Sequence, residues 1–290
     1  MTGGLLLVHA HPDDESITTG GTIAHYSALG VPVTVVTCTL GEEGEVIGER
    51  WAGLVADRAD QLGGYRVLEL TSALDALDAA PPRFLGGAGR WRDSGMAGTP
   101  AADKPGVFVR SGAEAVEALT KIVLELRPSV VVGYDPNGGY GHPDHIRAHE
   151  ITTEAVHTAA ELGWDTPKFY WTVTDGDRLR ERTAALVEAE LPSAWRLPRE
   201  DELASVPSDT VTTTLDICAA LPAKRAALRA HATQVTVAPS GRGFALSNLI
   251  AQPLLPEEHF TLVRGALGPV DADGRENDLF AGITTPYLGV

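Results

Sequence analysis

Cysteine is almost absent from this chain, which has only Cys38 and Cys218 among its 290 residues. The two lie far apart, so the sequence provides neither a disulfide framework nor a metal site built from several cysteines. Such sparse cysteine is typical of proteins in a reducing compartment. We therefore expect the protein in the cytoplasm.

Long apolar runs are also missing. No uncharged apolar stretch approaches the ~18 residues that a membrane-spanning helix needs. The apolar run at residues 5–8 is short and has no basic residues before it, so we interpret it as a strand and not as a signal peptide. We expect a soluble protein with no membrane partner.

Positive charge is scarce, because 23 Lys and Arg stand against 39 Asp and Glu, for a net charge of -16. A nucleic-acid partner is excluded on this ground. The chain also lacks a Gly-x-Gly-x-x-Gly or Gly-Lys-Ser/Thr phosphate loop and a Gly-x-Ser-x-Gly nucleophile turn. Nucleotide binding and serine-hydrolase chemistry therefore have no support in the sequence.

Apolar residues make up 43% of the chain, enough for a large core. Strand patterns alternate with helix patterns, which predicts an α/β fold with a Rossmann-like, mostly parallel sheet flanked by helices. We expect a catalytic core over residues 1–175 and a smaller C-terminal region, 176–290, that packs on the core and caps it. The predicted strands are 5–9, 31–38, 67–70, 83–85 and 130–134, and the predicted helices are 15–29, 50–62, 112–126, one within 135–162, and 221–231.

His11, Asp13 and Asp14 directly follow the first predicted strand. Two adjacent carboxylates beside a buried strand are costly unless a cation compensates them. Imidazole and carboxylate are both good zinc ligands, and a catalytic zinc takes three protein ligands. One aspartate would then bind the metal while the other acts as a general base. Their spacing does not tell which is which.

A third ligand is expected from residues 134–145, which follow the β-branched strand at 130–134. Pro143 suits the first position of a helix, which makes His142 its N-cap and places His145 in the first turn. Asp144 is a candidate to orient one of these histidines through a hydrogen bond to the ring nitrogen that does not bind the metal. His149, one turn past His145, is a rival ligand. The alternative interpretation is that these residues are only helix caps and turn formers. Two such motifs at equivalent strand-to-helix turns favour a shared site.

Further polar residues are expected at the same edge of the sheet. The acidic loop 41–45 follows the second strand, and Arg66 and the loop 90–96 are candidates to bind a hydroxyl-rich substrate. Solvated loops and ordinary packing are the alternatives. His231 ends a predicted helix, where a histidine stabilises the terminal carbonyls, and we interpret it as structural.

The segments Ala-His-Pro-Asp-Asp-Glu at 10–15 and Gly-His-Pro-Asp-His at 141–145 closely resemble the paired signatures of the LmbE-like, or PIG-L, N-acetylglucosaminyl deacetylase superfamily. Segments 38–48, 86–96 and 135–140 are similar to the deacetylases of mycothiol biosynthesis within it. The resemblance covers most of the chain. Residues 101–110 and the tail beyond Asp271 match least well.

The resemblance implies a Zn²⁺ enzyme, with Fe²⁺ as the other metal that two histidines and a carboxylate suit. It implies removal of acetate from N-acetylglucosaminyl-inositol, a precursor of an actinobacterial thiol. By position, the resemblance implies that His11, Asp14 and His145 bind the metal and that Asp13 is the general base. It implies that His142 stabilises the oxyanion or protonates the leaving amine, and that Tyr140 lies on the oxyanion side. The implied substrate contacts are Glu45, Arg66, Asp93 and Met96.

Two rival functions remain at this stage. One is a mycothiol S-conjugate amidase, which would use the same metal chemistry on a larger substrate. The other is a non-catalytic Rossmann-like module that binds a sugar or a nucleotide, in which the His and Asp clusters are structural.

Overall fold

The computed structural model describes residues 3–284, 286 and 287. Its main sheet has seven strands in the order β3-β2-β1-β4-β5-β10-β6. β3, β2, β1, β4 and β5 pair in parallel, whereas β10 is antiparallel to both of its neighbours. A second, antiparallel sheet has the order β7-β8-β9. The strands are β1 Leu5–His9, β2 Val33–Thr37, β3 Arg83–Phe84, β4 Val130–Tyr134, β5 Lys168–Val173, β6 Thr213–Asp216, β7 Thr236–Val237, β8 Gly243–Ala245, β9 Gln252–Pro253 and β10 Glu257–Arg264.

Helices cover both faces of the main sheet. The alternation of side chains along β1 shows this directly, because Leu5 and Leu7 pack into one apolar cluster while Leu6 and Val8 pack into another. Both clusters are buried, which explains why the central strands β1 and β4 have apolar side chains on both faces. The helices are α1 Asp14–Thr18, α2 Gly20–Ala28, α3 Leu62–Ala76, α4 Gly112–Leu126, α5 Pro143–Glu161, α6 Gly176–Ala184 and α7 Leu221–Ala230. The predicted fold class is confirmed.

Two predicted elements are wrong. In place of the helix expected at 50–62, the structure has a short 3₁₀ helix, Glu49–Trp51, followed by turns up to the start of α3 at Leu62. The strand expected at 67–70 lies inside α3. The buried α3 residues Leu62, Arg66, Leu70 and Leu74 recur every four positions, as helical periodicity requires. The short apolar run at 67–70 resembled a strand because periodicity cannot separate the two over four residues. The predicted helix at 15–29 is also divided, at Thr19, into α1 and α2.

The C-terminal region contributes more than a cap. Its strands β6 and β10 extend the main sheet beyond β5. The tail is fixed to the core by Glu276, which is fully buried and accepts hydrogen bonds from Lys168 and from the Tyr170 hydroxyl. The boundary at residue 175 stays a prediction, but the structure makes both parts members of one sheet.

The order of the strands places the site. β1 lies between β2 and β4, so the chain leaves β1 on one side of the sheet and returns on the other. Such a reversal opens a crevice at the carboxyl ends of the strands, which is where ligands bind in this type of sheet. The motifs at 11–14 and 142–145 follow β1 and β4 at that crevice. Among the described residues, no helix is long and apolar enough to cross a membrane.

Candidate metal centre

The first half of the site is the turn between β1 and α1. Asp13 precedes α1 and has a φ of 119°, a conformation that non-glycine residues rarely adopt. The backbone N–H of His11 donates to Oδ2 of Asp14 at 2.8 Å, which folds the turn back on itself. The turn therefore presents His11 and Asp14 together at the end of the sheet.

The second half is the start of α5. His142 is the N-cap of this helix, as predicted, and its Nδ1 accepts a hydrogen bond from the backbone N–H of Asp144 at 3.1 Å. His145 lies in the first turn, where the loop before it passes very close. A Cβ on Gly138, which has a φ of 61°, would lie 2.6 Å from Cβ of His145. Only glycine fits there.

Three donor atoms from the two halves form a nearly equilateral triangle. Nδ1 of His11 lies 3.2 Å from Nε2 of His145 and 3.5 Å from Oδ2 of Asp14. Nε2 of His145 lies 3.4 Å from the same Asp14 oxygen. Ligands at 2.0–2.2 Å from a tetrahedral zinc are separated by about 3.3–3.6 Å, so the triangle has the size of one face of such a site. The fourth vertex is left for another ligand.

The protonation of the two histidines fits a cation at this triangle. The other nitrogen of His11, Nε2, lies 3.3 Å from Oδ2 of Asp144 and 3.6 Å from Oδ1 of Asp93. His145 is in turn hydrogen-bonded to the backbone of Gly138. With protons on those outer nitrogens, two lone pairs and a carboxylate oxygen face one another. Three such acceptors attract a positive charge, which a metal ion supplies when bound and a second proton on His11 supplies in its absence.

The pKa values of His11 and Asp14 reflect the same close grouping of carboxylates and imidazoles. Burial alone would lower the pKa of His11, but the carboxylates of Asp93, Asp14 and Asp144 raise it well above its ordinary value. Burial would raise the pKa of Asp14, yet His145 and His11 hold it well below its usual range. The carboxylates here outnumber the cations that compensate them. Two further groups of close donors, His11 with His142 and His145, and His11 with Asp93 and Asp144, have His11 in common with the triangle.

The Asp13 carboxylate forms an ion pair with Arg66. Its Oδ2 lies 3.1 Å from Nη2 of Arg66. The same guanidinium donates to the backbone oxygens of Pro12 and Gly41. Arg66 is 3% exposed, so it fixes the two loops that meet at Asp13. Burial raises the pKa of Asp13 to about 7, although Arg66 opposes the shift.

The other predicted site residues differ in how close they lie to the triangle. Asp93 is buried beside His11 and accepts hydrogen bonds from the backbone N–H groups of Glu43 and Gly95. The Tyr140 ring centroid lies 4.9 Å from that of His145, and 56% of the residue is exposed. Met96 is 50% exposed, and Glu45 is exposed in the loop after β2.

His149, the rival ligand, is engaged elsewhere. Its Nδ1 lies 2.8 Å from the backbone oxygen of Tyr134, and its ring packs against Trp171. The structure thus places His145, and not His149, in the triangle.

Tyr134 was missed as a site residue. Its ring stacks on His145 at 4.4 Å between centroids, and its hydroxyl contacts the backbone of Ala10 and the side chain of Asp14. The sequence places Tyr134 at the end of a strand and at the start of the segment expected to supply a ligand, but gives it no role of its own. The sequence feature that could have identified Tyr134 is a side-chain hydroxyl at the last position of a buried strand, next to the 141–145 motif.

Comparison with known proteins agrees with this geometry. The PIG-L family, described as GlcNAc-PI de-N-acetylase, matches residues 6–156, which include both halves of the site. That stretch is more than half of the chain. The protein belongs to the PIG-L family.

Several curated relatives are much more similar. A protein from Nocardia farcinica is 76% identical, with 98% of both chains covered, and one from Rhodococcus erythropolis is 62% identical, with 96% of this chain and 97% of the relative covered. A third, from Mycolicibacterium smegmatis, is 58% identical with 96% of both covered. All three are named 1D-myo-inositol 2-acetamido-2-deoxy-alpha-D-glucopyranoside deacetylase.

Solved structures share the fold at lower identity. The 4-carboxy-2-hydroxymuconate hydratase GalB from Pseudomonas putida KT2440 has a TM-score of 0.58 at 19% identity and covers 94% of this chain and 100% of its own. The N,N'-diacetylchitobiose deacetylase from Pyrococcus horikoshii has a TM-score of 0.52 at 19% identity, with 90% and 83% covered. One is named a hydratase and the other a deacetylase, so the fold alone does not determine the reaction.

Proposed function

We propose that this protein hydrolyses the acetamide of 1D-myo-inositol 2-acetamido-2-deoxy-α-D-glucopyranoside and releases acetate and the free amine. The observation that carries the proposal is the triangle of His11, Asp14 and His145 donors, with Asp13 next to it. The names of relatives at 58–76% identity over nearly the full length support the substrate. The resemblance of the motif segments places this reaction in mycothiol biosynthesis.

Zn²⁺ is the proposed metal, held by His11, Asp14 and His145. When bound, it would supply Lewis acidity, which lowers the pKa of a water molecule toward ~7 and polarises the amide carbonyl. Two nitrogen ligands and one oxygen ligand also suit Fe²⁺, which we propose as the alternative in the cell. Asp144 would keep His11 in the required tautomer through its contact with Nε2.

Asp13 is the proposed general base. A carboxyl group with a pKa of about 7 is matched to accepting a proton from water near neutral pH. Its adjacency to Asp14 places it beside the ligand triangle, and Arg66 holds its carboxylate in one orientation. The strained backbone of Asp13 is consistent with such a role, because strain of this kind is concentrated at functional sites.

His142 is proposed to donate a hydrogen bond to the oxyanion that forms as the amide is attacked. Burial, with His11 and His145 nearby, lowers the pKa of His142 to about 3, so the ring is neutral at pH 7. Its Nδ1 accepts from Asp144, and the proton must then lie on Nε2. A neutral ring with an Nε2–H favours oxyanion stabilisation over protonation of the departing amine. The exposed Tyr140 is proposed to assist from the opening of the site.

Asp93, Met96, Arg66 and Glu45 are proposed to contact the sugar and inositol. Met96 offers exposed apolar surface near Asp93, which suits one face of a sugar ring. Arg66 is already bonded to Asp13 and two carbonyls, so its contribution to substrate binding would be made through the loops that it fixes. Glu45 is exposed and free to approach the inositol hydroxyls.

The test is release of acetate from the proposed substrate by protein of known metal content. Full activity, loss of activity with chelator and recovery with Zn²⁺ are expected. A mycothiol S-conjugate is assayed beside it, and faster cleavage of that amide would assign the amidase function instead. If the protein bound no metal and hydrolysed neither amide, the result would support a non-catalytic module.

A further inference from the structure

Residues 231–234, which directly follow α7, contact the turn that contains Asp13. The two segments are more than 200 residues apart in the sequence. His231 and Glu15 are both fully buried, and Nε2 of His231 lies 2.7 Å from Oε1 of Glu15. The other oxygen of the same carboxylate, Oε2, accepts the backbone N–H of Asp13 at 2.9 Å. His231 is thus connected to the backbone of Asp13 through one side chain.

Thr233 of the same segment is bonded to α3, the helix that carries Arg66. Thr233 donates its N–H and its hydroxyl to the two oxygens of Glu69, at 2.8 and 2.7 Å. Glu69 lies on α3, three residues from Arg66, whose guanidinium binds the Asp13 carboxylate. The segment therefore bonds Glu15, the acceptor of the Asp13 N–H, and also bonds α3, the helix that carries the Arg66 partner of the Asp13 carboxylate.

Asp13 needs such support because of its backbone. A φ of 119° is unfavourable for a residue with a Cβ, and it persists only where surrounding contacts impose it. The hydrogen bond from the Asp13 N–H to Glu15 is one of those contacts. Without His231, Oε1 of the buried Glu15 would keep only the Ser16 hydroxyl of its two partners, and the carboxylate could reorient and weaken its bond to the Asp13 N–H.

We propose that His231, acting through Glu15, is a positioning residue for Asp13 and sets the direction of its carboxylate. The inference rests on the proposed function, in which Asp13 is the base. It also assigns the C-terminal region a part in building the catalytic centre. His231 contacts none of the three donor atoms of the triangle, so its effect should fall on turnover and not on metal binding.

The test compares His231→Leu with His231→Gln and with a matched control, Lys224→Met. Gln retains an N–H donor near the position of Nε2, whereas Leu removes it. Lys224 is a buried charge on the same α7 helix, and its Nζ pairs with Glu258 at 2.5 Å, away from Asp13. Breaking that pair should lower Tm at least as much as His231→Leu does.

We expect His231→Leu to reduce kcat roughly 10–100-fold, with KM changed by less than about threefold and metal content unchanged. His231→Gln should recover most of the loss, and Lys224→Met should keep near wild-type kcat. Loss of metal, a kcat reduction no larger than in the control, or no recovery with Gln would each overturn the proposal.

A second readout does not depend on the reaction. Hydrogen exchange of the Asp13 amide, followed by NMR in the metal-free protein, should be faster in His231→Leu and in Glu15→Gln than in Lys224→Met. Equal protection in all variants would refute the connection through Glu15. If the wild-type protein failed to deacetylate the substrate, this measurement would still decide the structural claim.

Discussion

Asp144 contacts His11 on the side of the imidazole that faces away from Asp14 and His145. Its Oδ2 lies 3.3 Å from Nε2 of His11 and also accepts the backbone N–H of Ser94 at 2.9 Å. The carboxylate is therefore held by the loop after β3 and in turn holds the imidazole. The orientation of the first proposed ligand depends on a residue that follows a different strand.

Replacing Asp144 should weaken metal binding without removing a ligand. For Asp144→Ala we expect a 10–100-fold loss of zinc affinity, because His11 Nε2 then keeps only the more distant Asp93 carboxylate, at 3.6 Å, to fix its tautomer and ring plane. Competition with a chromophoric chelator measures the affinity. Asp144→Asn retains an acceptor oxygen and should lose less, and equal affinity of Asp144→Ala and wild type would contradict the interpretation.

Replacing Asp13 and replacing Asp14 should have different effects on metal content and turnover. Asp13→Ala is expected to keep its metal and to lose roughly 10²–10⁴-fold in turnover, which is the usual contribution of a general base. Asp14→Ala should lose the metal, since one vertex of the triangle disappears. Elemental analysis with steady-state kinetics distinguishes the two, and near-normal turnover of zinc-loaded Asp13→Ala would show that another residue is the base.

The contact between Lys168 and Glu276 should dominate the stability of the tail. Both side chains are almost fully buried, and Glu276 also accepts hydrogen bonds from Tyr170 and Thr213. Glu276→Leu leaves the Lys168 ammonium without a partner, which should cost about 3–5 kcal/mol. Urea denaturation measures the loss. Adding Lys168→Met should restore part of it, and additive losses in the double variant would contradict a direct pairing.

His259 should make stability depend on pH. Burial lowers its pKa to about 4, against 6.5 for a free histidine. Asp175 and Glu258 raise the pKa and Arg275 and Arg178 lower it, each by a smaller amount. The unfolded chain binds this proton at a higher pH than the folded one, so the stabilisation is present above pH 6.5 and is lost as the pH falls toward 4.

Between about pH 7.5 and 5, His259 should account for a loss of about 2 kcal/mol in the free energy of unfolding. His259→Leu removes the titrating group, and its stability should therefore fall less over the same interval. Urea titrations of both proteins at several pH values measure the difference. Parallel curves for the two proteins would show that His259 titrates normally in the folded state.

The sequence predicts the parts of this molecule that depend on local pattern. β1, α4 and β4 have the predicted bounds, because each is a run of uniform periodicity between clear breaks. The region from 50 to 76 was assigned incorrectly, since its glycines suggested the end of a helix that in fact begins there. Gly63 lies in the first turn of α3 because a side chain would meet Glu42 and Leu40.

For the site, the two motifs and their convergence follow from the rule that ligands bind at the carboxyl ends of parallel strands. The roles of the individual residues came from family resemblance and stay predictions. His231 was interpreted as a helix-end residue because its partner Glu15 is 216 positions away in the chain. No local pattern reports a contact of that sequence separation.

The direct pairing of β1 with β4, in which Leu5, Leu6 and Leu7 align with Val130, Val131 and Val132, has a consequence for metal exchange. The first half of the site directly follows β1, and the second begins α5, which packs on both β4 and β1, so the separation of the halves is set by the sheet and this packing. Protein from which a chelator has removed the metal should therefore remain folded and rebind metal at a rate set by diffusion and dehydration of the ion. Folding would not depend on metal uptake.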